Sequence, residues 1–64
     1  MDTAAAELSS LATALDELTT RVSGIAEGFQ RSKREDVAGD LFAVEGLLDT
    51  ARRRLEKVVD AAKG

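Results

Sequence analysis

The 64-residue chain has no cysteine, histidine, proline, tryptophan or tyrosine. Each absence removes a class of function. Without cysteine there is no disulfide scaffold, no thiolate nucleophile and no thiolate-held zinc. Without histidine the commonest general base and the commonest metal ligand are missing. Two phenylalanines are the only aromatics, too few for the stacking platforms that hold single-stranded nucleic acid. No run of about 20 apolar residues occurs, so the sequence predicts no membrane span. The start, Met1-Asp2-Thr3, is acidic where a secretory leader would be basic. The expected compartment is cytoplasmic, and the expected organisation is one small acidic domain over residues 1–64.

What is present is helical periodicity. In the first half the apolar positions are Ala4, Leu8, Leu11, Leu15, Leu18, Val22, Ile25 and Phe29. In the second they are Val37, Leu41, Val44, Leu48, Ala51, Leu55, Val58 and Ala62. Steps of four and three alternate in both, which is the heptad pattern of packed helices. Leu8, Leu15, Val22 and Phe29, with Leu41, Leu48, Leu55 and Ala62, take heptad position a; the other stripe residues take d.

Between the stripes lies the polar run Gln30 to Asp36. Gly28 is placed to end the first helix in a left-handed conformation, and Ser32 with Glu35 matches a capping box. The reading is an all-α antiparallel two-helix hairpin. Helix 1 spans about 3–28, the turn about 29–32 and helix 2 about 33–63. The stripes are then expected to close on each other, pairing Leu8 with Val58, Leu11 with Leu55, Leu15 with Ala51 and Leu18 with Leu48. Val22 with Val44, Ile25 with Leu41 and Phe29 with Val37 complete the seam. Glu7 is expected near Arg54 and Arg21 near Asp40. Acidic helix 1, including Asp16 and Glu17, is expected to face the run Arg52-Arg53-Arg54.

A single two-helix seam of this size is open on both sides and marginal alone. Small residues beside the stripe, such as Ala5, Ala12 and Ala26, would admit another helix. Off-stripe Phe42, Leu47, Ala38 and Val59, with the helix-interior glycines Gly39 and Gly46, are the expected partner interface. Each interior glycine costs about 1 kcal/mol relative to alanine, so two of them around Phe42 suggest close approach of another backbone.

Chemistry finds little footing. Glu45 and Asp49 share one helix face, but general acid–base work needs a pocket that shifts their titration. The stripes hold no acid to ligate a metal. No catalytic, cofactor-binding or metal-binding residue is assigned, and no small-molecule substrate or membrane surface is indicated. Arg31, Lys33 and Arg34 at the turn, and Arg52, Arg53 and Arg54, are candidate phosphate contacts. A formal net charge of -3 opposes general attraction to nucleic acid.

The expected function is non-enzymatic: a small helical interaction module. It either self-associates as a homodimeric four-helix bundle or docks as a small subunit or adaptor on a larger protein. In length and layout the chain resembles the small plasmid copy-number regulators, which pair two helical hairpins and bind RNA. That resemblance implies the alternative, a Rop-like dimeric RNA- or DNA-binding regulator using the two basic clusters.

Overall fold

The structure, a computed structural model, describes residues 3–64. The acidic start at Met1 and Asp2 lies outside the described residues. Two helices account for nearly all of the rest. Helix α1 is Thr3–Arg31 and helix α2 is Glu35–Lys63, each of 29 residues. They lie side by side and antiparallel along most of their length, in a rod of 50 × 14 × 9 Å. The expected all-α hairpin is the fold.

The turn sits later than the glycine suggested. α1 runs through Gly28 to Arg31, and the left-handed residue is Lys33, with φ of 64°. Lys33 N–H donates to the Gln30 carbonyl at 3.1 Å, and Arg34 N–H to the Phe29 carbonyl at 2.8 Å. This crossed pair is the Schellman closure, which uses up carbonyls that a helix end leaves free. The Ser32–Glu35 capping box does not form. Ser32 Oγ instead donates back to the Phe29 carbonyl at 3.1 Å, and the cap residue of α2 is Arg34, without a side-chain cap. Glu35 and Asp36 supply negative charge to the first turn of α2, where the helix dipole favours it.

The bond between Arg34 and Phe29 sets the two helices level. Counting equal steps away from the turn, at the same rise in both helices, brings Val22 to the height of Leu41, Leu15 to Leu48 and Leu8 to Leu55. These are all a positions, and all are half-buried. The e positions also meet in order: Ala26 with Ala38, Thr19 with Glu45, Ala12 with Arg52, Ala5 with Val59. Five of these, Ala5, Ala12, Ala26, Ala38 and Val59, are the buried core among the described residues. The Thr19 hydroxyl is satisfied inside α1, donating to the Leu15 carbonyl at 2.7 Å, so its methyl is left to pack.

The seam is therefore a/e, not a/d. This corrects the expected pairing: Leu11, Leu18, Ile25, Val44 and Val58 do not lie between the helices. The physical reason is side-chain size. The e row of α1 holds three alanines and a threonine, and such a row lets two backbones come closer than a row of leucines would.

Candidate docking surface

The two open sides of the hairpin have different chemistry. On one side the b, e and f positions of both helices come together. Ser9, Ala12, Thr13 and Asp16 of α1 face Arg52, Glu56, Val59, Asp60 and Lys63 of α2 across an open groove of about 450 Å³. Arg52 organises it. Its Nη1 donates to Glu56 Oε1 at 2.6 Å, its Nη2 to Asp49 Oδ1 at 2.7 Å, and its Nε lies 3.7 Å from Asp16 Oδ1. Cβ atoms lean toward the N-terminus of their own helix, so Arg52 reaches one turn toward the tip and finds Asp16. Arg53 Nη2 pairs with Asp49 Oδ2 at 3.0 Å. The hydrogen bond from Arg52 holds the Asp49 carboxyl below the usual carboxylate range, with the field of Arg53 adding to it. The same bonds raise Arg52. Among the described residues, the expected contact of the arginine run with acidic α1 is thus made by Arg52 alone.

With b, e and f on one side, the d and g positions of both helices fall on the other. That side is apolar. Leu11, Leu18, Ile25, Val44 and Val58 are each 41–57 % exposed, and Leu47, a g residue, is 72 % exposed. The rows are level across the hairpin: Leu18 with Val44, Leu11 with Ala51, Ile25 with Val37, Ala4 with Val58. The a residues Leu8, Leu15, Leu48 and Leu55, half-buried in the seam, form its floor. A small protein rarely exposes so continuous an apolar strip without a use for it.

The outer rims of this strip are the g rows. They carry Glu7, Ala14 and Arg21 on α1, and Asp40, Leu47 and Arg54 on α2. Glu7 stands level with Arg54, and Arg21 with Asp40. Yet these charges stand on opposite rims, with the strip between them. All four are exposed and make no ion pair among the described residues. The flanking pairs expected within the hairpin are not formed.

The residues singled out from sequence are divided between several places. Ala38 and Val59 are 2 % and 5 % exposed, inside the hairpin's own seam. Leu47 lies on the rim of the apolar side. Phe42 sits at a b position, on the opposite side, at 36 % exposure. Gly39 and Gly46 lie on the back of α2, where an added Cβ would meet nothing within 4 Å. Arg31 and Lys33 are exposed at the tip, and Arg34 Nε is 3.4 Å from Asp36 Oδ1. Among the described residues no three metal-ligating side chains stand together, and no helix is long and apolar enough to cross a membrane.

The d strip is the surface that sequence reasoning had assigned to the seam. The signal that it is separate was present in the pattern. Position e is small or apolar on α1, so three of every seven residues suit a core. That width fits a bundle interior better than a two-stranded seam. Comparison with family models, with curated proteins and with solved structures gave no match.

Proposed function

We propose that the protein is a non-enzymatic, cytoplasmic interaction module that docks helix against helix through its d and g rows. The observation that carries this reading is the exposure of Leu11, Leu18, Ile25, Val44 and Val58 on one side of the hairpin. Burying a side chain of this kind contributes about 1.5–3 kcal/mol. The hairpin alone secures only part of that, and its buried core is built mostly of alanine. Two further helices laid on the strip would complete a four-helix interior from the a, d and e positions. The b side, with Arg52 tied to three carboxylates, supports a solvated face instead.

The test is association of the purified chain, with Leu18→Asp as the control variant. Light scattering is expected to give a multiple of 6.8 kDa for the wild type. The variant is expected to fall to the single-chain mass, because a charge cannot be buried unpaired. A chain that stays at the single-chain mass, and captures nothing from its host extract that the variant does not also capture, overturns the reading.

A further inference from the structure

Resting on that reading, we propose that the occupant of the strip is a second copy of this chain, stacked with the two turns at the same end. The two-fold axis then runs along the rod, and α1 of one copy lies over α2 of the other, antiparallel to it. Three features of the strip point to this arrangement together.

The first is charge. In the like-ended stack each g residue meets, at its own height, the g residue of the other helix in the second copy. Glu7 meets the second copy's Arg54, and Arg21 meets the second copy's Asp40. Every unpaired rim charge gains an opposite partner, twice over by symmetry. The same levelling that brings 7 to 54 within one hairpin, where they cannot touch, brings them into contact between hairpins.

The second is size. Leu47, the most exposed large apolar residue on this side, lies over the second copy's Ala14. Leu11 lies over Ala51, and Val58 over Ala4. Large residues meet small ones at three levels, as interdigitating layers require.

The third is overlap. The alternative two-fold axis crosses the rod and puts the turns at opposite ends, with α1 over α1 and α2 over α2. Full overlap then sets Glu7 against Gly28 and Arg21 against Ala14, and no rim charge finds a partner. Charges match in that arrangement only if the hairpins slide apart by roughly 10 Å, about seven residues of helical rise. Leu47 then meets Leu47 and Ala14 meets Ala14. The like-ended stack alone keeps full overlap with all four rim charges matched and large residues over small ones at three levels. Its footprint, 50 by 14 Å or about 700 Å², is close to the ~800 Å² per partner of a standard stable interface.

The experiment uses the absence of native cysteine. A spin label on Ser32→Cys, at the exposed tip, reports the tip-to-tip distance by electron double resonance. The like-ended dimer is expected to give a distance on the order of 20 Å, two helix diameters. Turns at opposite ends give about 45 Å, the length of a helix, and that result overturns the arrangement while leaving docking intact. A monomeric wild type overturns the second copy as occupant, and one that also captures nothing from its host extract beyond what Leu18→Asp captures overturns the docking reading with it. Charge reversal gives an independent reading. Glu7→Arg is expected to weaken the dimer roughly tenfold, since two attractive contacts become repulsive. Adding Arg54→Glu is expected to restore it to within about threefold, whereas adding Arg21→Glu is not. Rescue by Arg21→Glu instead, or no effect of the first reversal, overturns the proposed pairing.

Discussion

Lys33 occupies a backbone conformation that side chains resist. Its φ of 64° brings Cβ close to the neighbouring carbonyl, a cost of roughly 1 kcal/mol that glycine does not bear. Lys33→Gly is expected to raise the thermal midpoint, by up to about 1 kcal/mol in stability. A lower midpoint would mean that the lysine side chain makes a contact at the tip worth more than the strain. Asp49 illustrates a second residue-scale effect. Its carboxyl titrates below its ordinary value because Arg52 donates to the charged form. A carboxyl depressed in the folded state binds fewer protons there than in the unfolded chain. Its contribution is therefore complete above the unfolded value and is lost as pH falls through the folded one. Melting of the wild type is expected to weaken with acid below about pH 4. In Asp49→Asn part of that acid dependence disappears. Identical acid limbs in the two proteins would show that the Arg52 bond does not outlast solvent.

At the scale of the element, α2 carries Gly39 and Gly46 in its interior with open space around both. Alanine at each is expected to stabilise the helix by about 1 kcal/mol through propensity alone, since no neighbour must move. Circular dichroism melts of Gly39→Ala and Gly46→Ala check this. If either substitution lowers stability or weakens association, another backbone occupies that space, and Phe42 gains the anchoring role its off-seam position first suggested. Both helices were legible in the sequence because a 3–4 repeat over nearly four heptads has no strand interpretation. Their ends were less so. Gly28 looks like a stop, but a helix backed along its length by a partner outlasts a weak local signal. The closure then falls to Lys33, whose sequence carries no mark of a left-handed residue.

Which face meets which is a property of the whole molecule, and here the heptad pattern was ambiguous. Positions a and d are both apolar, and by spacing alone the small e row is space for a visitor. In the structure that row receives α2, and the d row becomes the visitor's side. Local spacing cannot choose between these, because the choice depends on how closely two whole helices approach. The groups of the polar groove show the same limit. Arg52 was legible as a helix-surface residue bonded to Asp49 and Glu56, which lie within helical reach. Its contact with Asp16 needed the rotated seam.

The three-residue connection between Arg31 and Glu35 also fixes an order of events in time. Closing a short loop costs little chain entropy, and the cost of joining more distant pairs falls as nearer ones form. Pairing is thus expected to start at Ala26 and Ala38, beside the turn, and to zip toward Ala5 and Val59. The same substitution at the two ends of α1 separates these stages. Ala26→Gly is expected to slow folding with little change in the unfolding rate, and Ala5→Gly to speed unfolding with little change in the folding rate. Stopped-flow chevrons in which both variants shift the same arm would mean that the rod closes all at once, with no leading end.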